Sequence, residues 1–98
     1  MRFEWDEPKN RRNLAKHGIS FETAQLIFVD PNLLSLHDRV VAGEERWQSL
    51  GLIHGVIVVL VAHTYRCEDS EEVIRVVSAR KATPRERRAY EESREEQG

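Results

Sequence analysis

Apolar residues change their spacing near position 33, and that change separates predicted helices from predicted strands. Arg2, Phe3, Glu4 and Trp5 alternate polar and apolar, which predicts a short first strand with Phe3 and Trp5 on its buried face. Asp6 is a predicted N-cap, Pro8 is tolerated in the first helical turn, and Gly18 is the predicted left-handed residue past the helix end. Lys16 and His17 fall in the last turn, where cations favour a helix C-terminus. The body of this helix (Lys9, Asn10, Arg11, Arg12 and Asn13) is polar, and only Leu14 and Ala15 offer packing. It is expected to lie on the surface, held mainly at its ends. Ser20 caps a second helix, in which Phe21, Ala24 and Phe28 follow at i, i+3 and i+7 while Leu26 and Ile27 widen the stripe. Asp30 before Pro31 closes it, because the residue before proline is pushed out of the α region.

Strands follow. Residues 33–37 predict one, residues 38–43 a loop, and residues 45–50 a looser strand anchored by Trp47. A turn at 53–55 leads into 56–62, seven consecutive apolar residues. A continuous run rather than an alternating one marks a central strand covered on both faces. An acidic turn at 67–72 precedes Val73, Ile74, Arg75, Val76 and Val77, whose β-branched side chains favour a pleated strand. The final helix has a full start signal: Thr83 as N-cap, Pro84 at the first helical position, and Glu86 three residues after the cap. Residues 93–98 are expected to fray. The order is β-α-α-β-β-β-β-α. Short loops between consecutive strands predict an antiparallel meander with the helices gathered on one side, an α+β fold.

Composition narrows the picture. The 98 residues make one domain, 1–98, with 40% hydrophobic and 33% charged residues. This is a small core inside a heavily charged exterior. A net charge of −2 argues against a protein that coats nucleic acid generically, so any polyanion site must be local. A single cysteine, Cys67, excludes an internal disulfide and a Cys-rich zinc site. No signal-like segment opens the chain, and its longest apolar run is too short to span a bilayer. A soluble, cytoplasmic protein is expected.

Several chemistries find no support. His17, His37, His54 and His63 lack i, i+3 or i+4 spacing, so no metal site is expected. No Walker or dinucleotide fingerprint follows a strand, no serine sits in an elbow context, and no cofactor is expected. Cys67 lies among acids, which would raise its pKa and blunt it as a nucleophile.

The local cationic cluster remains. From Arg75 to Arg88 there are six cations (Arg75, Arg80, Lys81, Arg85, Arg87, Arg88) and one anion, Glu86. Arg75 stands inside a largely apolar strand, where a charge must be paired or used. One reading is an ion pair with Glu45 or the acidic turn. The other is that Arg75 and Arg80 converge on one groove and hold a phosphate. Period 2 puts them on opposite faces, so that reading requires a bulge or strand end near residues 78–79. An RNA phosphodiester can be cut without metal if the 2′-hydroxyl is oriented and deprotonated, the phosphate charge stabilised, and the leaving oxygen protonated. His63 is the candidate acid or base, Glu45 a candidate base, and Arg75 and Arg80 the phosphate clamp. Trp47 and Tyr90 are candidate stacking faces, with a core role the alternative for Trp47.

A resemblance adds to this. F-E-W-D at 3–6, N-L-A-K-H-G-I-S-F at 13–21 and A-x-x-I-F-x-D-P at 24–31 resemble the BrnT family. So do G-E-E-R-W-x-x-L-G at 43–51, V-I-R-V-V-S-A-R-K-A at 73–82 and E-R-R-x-Y-E at 86–91. The resemblance covers nearly the whole chain. It implies a toxin of a type II toxin–antitoxin pair with a RelE-like fold, a ribonuclease that cuts RNA and halts growth. It also implies a BrnA-type antitoxin partner, a heterotetramer built around an antitoxin dimer, and operator DNA contacted only through the antitoxin.

Lys16, His17, Glu45, Arg46, Arg75, Ser78, Arg80, Glu86, Arg88 and Tyr90 fall within the matching motifs. Of these, Lys16, His17, Arg46, Arg88 and Tyr90, with Lys81 and Arg85, are the candidate RNA contacts. Glu86 has a sufficient structural role as partner of the Thr83 cap. The chain departs from many relatives at Thr64-Tyr65-Arg66-Cys67, where they resemble T-E-R-G. The competing reading is a module that binds RNA or a partner without catalysis and acts as co-repressor with the antitoxin.

Overall fold

The computed structural model describes residues 1–97. Along the chain come β1 (Arg2–Glu4), α1 (Glu7–His17), α2 (Phe21–Ala24), a 3-10 helix (Gln25–Val29), β2 (Leu34–Val41), β3 (Glu44–Ile53), β4 (Ile57–Glu68), β5 (Glu71–Lys81) and α3 (Pro84–Gln97). The strands form one five-stranded sheet, ordered β1-β5-β4-β3-β2. β2 to β5 are the expected antiparallel meander. β1 corrects the all-antiparallel expectation: it runs parallel to β5, with Arg2 opposite Val73 and Glu4 opposite Arg75. The helical crossover after β1 is what permits a parallel pairing, which no tight turn could make.

Two hairpins close in two residues, Ala42-Gly43 and Asp69-Ser70, all four with positive φ. Such turns match the twist of paired strands and let pairing run to the turn itself. That is why residues 38–41, expected in a loop, continue β2.

Alternation along β4 sorts the core into two layers. On one face Phe21, Ala24 and Ile27 pack on Ile53, Val59, Val61, Val76 and Ala79. On the other, Tyr90 of α3 packs with Leu50, Val58 and Leu60. The central strand is therefore covered on both faces, as its continuous apolar run requires. The helices are not gathered on one side, because each face of that run needs its own cover.

The helical layer differs from expectation in detail. Phe21, Ala24 and Ile27 line up at a spacing of three because the chain tightens into a 3-10 helix after Ala24, leaving Phe28 at the margin. The 3-10 helix lies so close to β3 that a Cβ at Gly51 would stand 2.5 Å from Ile27 Cβ. Asp30 then accepts from the Leu52 N–H (2.8 Å), the Asn32 N–H (2.9 Å) and the Tyr90 hydroxyl (2.5 Å), joining the 3-10 helix, β3 and α3.

In α1 the caps are as read from sequence: Asp6 accepts from the Lys9 N–H, and Gly18 takes φ 72°. Its buried residues, however, are Asn10 and Asn13, while Leu14 is 49% exposed. Asn13 donates to the carbonyls of Ile19 and Ala79 (both 2.9 Å) and accepts from the Ala79 N–H (3.1 Å). It occupies the edge of β5 past the end of β1, as the amide of a further strand would. Asn10 accepts from the Phe21 N–H (2.8 Å) and donates to Glu22 (2.6 Å). The helix is thus docked along its length by amide hydrogen bonds.

Residues 93–97, expected to fray, continue α3, and Gly98 lies outside the described residues. Among the described residues no helix is long and apolar enough to cross a membrane.

Candidate functional site

The site begins with a slip in the pairing of β4 and β5. Ala62 faces Ser78, yet His63 faces Val76, so Val77 is an extra residue, a β-bulge. The bulge reverses the alternation beyond it, and Ser78 and Arg80 fall on the same face as Arg75. This is the condition that convergence of the two arginines required, met one residue earlier than expected. Arg75 lies opposite Thr64, and Thr64 opposite Arg46, so the three form a row across the sheet on the α3 face. Thr64 is only 2% exposed at the centre of that row. The Arg46 Nε is buried and has no hydrogen-bond partner among the described residues.

Each arginine of this face has a carboxylate at hand. Arg80 holds Glu86 with two parallel hydrogen bonds, of 2.8 and 3.0 Å. Glu86 also accepts from the Thr83 N–H and receives the reciprocal cap, so the fork of Arg80 fixes the start of α3. The Arg80 hydrogen bonds, more than any other cause, pull the Glu86 carboxyl down to about 2. Arg75 lies 3.8 Å from Glu4, and Arg46 3.7 Å from Glu44. The ion-pair reading of Arg75 named Glu45 or the acidic turn, and both are corrected. Glu4, brought alongside by the parallel β1, is the partner. The turn acids Glu68 and Glu71 pair with Arg2, and Glu68 also with Arg66.

His63 lies on the other face, 4% exposed, with the phenyl ring of Phe28 5.0 Å away. Its Nε2 is 2.7 Å from the Ser49 hydroxyl, which is in turn 2.7 Å from that of Ser35. Burial holds its pKa below the usual value. Glu45 is exposed near the β2–β3 turn, opposite Val40, and alternation places it on the His63 side, away from Arg46. The sheet therefore separates His63 and Glu45 from Arg75 and Arg80.

Tyr90, expected to offer a stacking face, is 1% exposed and its ring belongs to the core. Burial, with its hydrogen bond to Asp30, pushes its hydroxyl up to about 12. Trp47 is half-buried, edge-on to His37 at 5.0 Å. Lys81 is exposed opposite Val59, and Arg85 and Arg88 are exposed on α3. Lys16 and His17 line a groove of about 420 Å3 beside the bulge, together with Lys9 and Arg12. Sequence reasoning passed over Lys9 and Arg12, although their i, i+3, i+7 spacing with Lys16 was there to be read. Among the described residues no three His, Cys, Asp or Glu side chains are grouped to hold a metal ion.

Comparison with known proteins agrees with this architecture. Residues 5–86 match the family described as "Ribonuclease toxin, BrnT, of type II toxin-antitoxin system". The crystal structure of the Brucella abortus ribonuclease toxin BrnT is similar, with a TM-score of 0.57 and 28% identity over 85% of this chain and 97% of that one. No curated protein matches the chain. The family match spans the first helix, the meander and both arginines of the bulged strand, and the solved toxin shares the fold. The chain belongs to the BrnT family of ribonuclease toxins of type II toxin–antitoxin systems.

Proposed function

We propose that the chain is a metal-independent endoribonuclease of RelE-like fold, cutting RNA at a phosphate held by Arg75 and Arg80. The observation that carries this reading is the bulge at Val77, which brings Arg75, Ser78 and Arg80 to one face beside Arg46. In the reaction that fits, a ribose 2′-hydroxyl attacks the adjacent phosphorus and the bond to the 5′-oxygen breaks. The products are a 2′,3′-cyclic phosphate and a free 5′-hydroxyl. The attacking hydroxyl gives its proton to water, and the departing oxygen takes one from water. Negative charge builds on the non-bridging oxygens, where planar guanidinium groups stabilise it. His63 and Glu45, across the sheet, take no part in this scheme. Lys16, His17, Arg85 and Arg88 contact the flanking RNA.

Family membership implies an antitoxin partner. In this reading it is a BrnA-type protein whose dimer holds two toxins in a heterotetramer in the cytoplasm, and the toxin reaches operator DNA only through it. The purified chain is expected to cleave labelled RNA in EDTA. Arg75→Ala with Arg80→Ala should slow cleavage roughly a hundredfold or more, with the fold retained by circular dichroism and the melting temperature lowered by loss of the Arg80–Glu86 pair. A double variant that cleaves at the parental rate means that the site lies elsewhere.

One observation favours a second reading. The fork of Arg80 is already filled by Glu86, and Arg75 has Glu4 nearby. On that reading the face binds RNA or an acidic partner without cutting, and the protein serves as co-repressor. Steeply salt-dependent RNA binding with no product over hours would select it.

A further inference from the structure

We propose that the groove between α1 and the bulge of β5 is a phosphate-binding track for the single-stranded RNA that flanks the scissile position. The proposal rests on the ribonuclease reading for the identity of the strand. Its test is a binding measurement that does not require cleavage.

The helix places the charges. Asn10, Asn13 and His17, at i, i+3 and i+7, are the residues of α1 that turn inward. Lys9, Arg12 and Lys16 repeat that spacing one residue earlier, so they run as a stripe along one flank of the docking face. At 1.5 Å per residue the stripe is about 10 Å long, enough for consecutive nucleotides rather than one phosphate. The facing wall is Val77 and Ser78. These two lie between the attachments of the β5 edge, where β1 pairs as far as Arg75 and Asn13 binds Ala79.

Charge balance separates this groove from the arginine face. Arg46, Arg75 and Arg80 each have a carboxylate within 4.0 Å. Among the described residues Lys9, Arg12 and Lys16 have none. The acids nearest in sequence are otherwise engaged: Asp6 caps α1, Glu7 accepts from Trp5 and Asn10, and Glu22 accepts from Asn10. A polyanion can therefore enter without displacing an internal counter-ion.

The lining also selects the partner. It holds cations in a row and one aliphatic residue, Val77, but no aromatic or apolar pocket into which a protein partner could set an anchor. A backbone bearing one charge per nucleotide fits such a stripe, and it would be bound whatever its bases. Ser78 joins the two regions: it lines the groove and stands on the face shared by Arg75 and Arg80. A strand lying in the groove is thereby led to the proposed cleavage site.

The probe is a fluorescent single-stranded 2′-O-methyl RNA, which has no free 2′-hydroxyl to attack the phosphate. Its binding is followed by anisotropy over a range of salt. Lys9→Gln with Arg12→Gln should weaken binding roughly tenfold at low salt and flatten the log–log salt slope by about 1.4, at about 0.7 per phosphate contact. The loss should be equal for adenine-only and uracil-only probes. Arg11→Gln with Arg94→Gln removes the same formal charge at exposed positions that line neither the groove nor the Arg46–Arg75 row, and should leave the slope unchanged. Lys9, Arg12 and Lys16 are exposed, and Arg12→Gln with Lys16→Gln poses the same question through a second pair.

An unchanged slope in both groove variants overturns the proposal. So does an equal loss in the Arg11 and Arg94 control, which would be a net-charge effect. Parental RNA binding with lost antitoxin binding also overturns it and assigns the groove to an acidic protein segment. Failure of the ribonuclease reading is seen separately, in the cleavage assay of the Arg75 and Arg80 variant.

Discussion

Two charged helices dock on one sheet by different physics, α1 at the edge of β5 and α3 on a face. α1 presents asparagines inward and binds backbone through their amides, chiefly the open edge of β5. α3 presents Tyr90 to an apolar cluster and is fixed at its start by the Arg80–Glu86 pair. The difference follows from what each helix has to cover. The β5 edge past β1 offers backbone groups that need partners, whereas the face under α3 offers Leu50, Val58 and Leu60. Helix amphipathicity, read as apolar spacing, reveals neither situation: α1 turns asparagines inward, and α3 carries Tyr90 as its one large apolar residue.

The comparison breaks most sharply at Asn13. Asn13→Leu keeps the volume but leaves the Ala79 N–H and the carbonyls of Ala79 and Ile19 without their partner. At about 1–3 kcal/mol for each buried group left unsatisfied, partly relieved by water at the sheet edge, the expected loss is about 3 kcal/mol. Leu14→Ala, one residue on and half exposed, should change stability by less than about 0.5 kcal/mol. Urea unfolding of both variants measures this. If leucine at position 13 is as stable as the parent, α1 is held by packing after all.

At α3, Tyr90→Phe keeps the ring in its cluster and removes only the hydrogen bond to Asp30. Burial alone would raise the Asp30 pKa, but the tyrosine hydroxyl and the N–H groups of Leu52 and Asn32 outweigh it and hold the carboxylate below its usual range. A hydrogen bond to a charged acceptor contributes about 1.5–3 kcal/mol, and Asp30 keeps two donors in the variant, so about 1.5 kcal/mol should be lost. Thermal melting that shows no loss would make α3 purely a hydrophobic lid.

Much of this was legible in the chain. The caps at Asp6, Ser20 and Thr83, the end at Gly18 and the central strand each rest on a local signal, and the structure has each of them. The features the sequence reading missed depend on pairing between distant segments. Whether β1 runs parallel or antiparallel, and which edge it joins, is decided by where the crossover returns the chain. Alternation alone put Arg75 and Arg80 on opposite faces, and only the two-against-one pairing at Val77 reverses it. The same rule, applied to β4 and to β3, sends His63 and Glu45 to the far side. Tyr90 reads as a surface aromatic in a charged helix until Leu50 and Leu60 are placed beneath it.

The pair between Arg80 and Glu86 gives the comparison that best distinguishes the two helices. Glu86→Gln keeps a side chain able to cap Thr83 but loses the charge-assisted pair with Arg80. The Glu86 carboxyl titrates at about 2 in the folded chain against 4.5 ordinarily. Because the folded value is the lower one, the stabilisation is fully present above pH 4.5 and is lost as pH falls from there towards about 2. The two side chains are 38% and 25% exposed, so solvent screening reduces the contribution to roughly 1–2 kcal/mol. The stability gap between parent and Glu86→Gln should therefore be widest at neutral pH and close in acid. The gap between parent and Asn13→Leu should stay constant over the same range, because an amide does not titrate there. If both gaps close together, the clamp on α3 and the amide dock of α1 are not independent. In that event, acid loosens the sheet that both helices share.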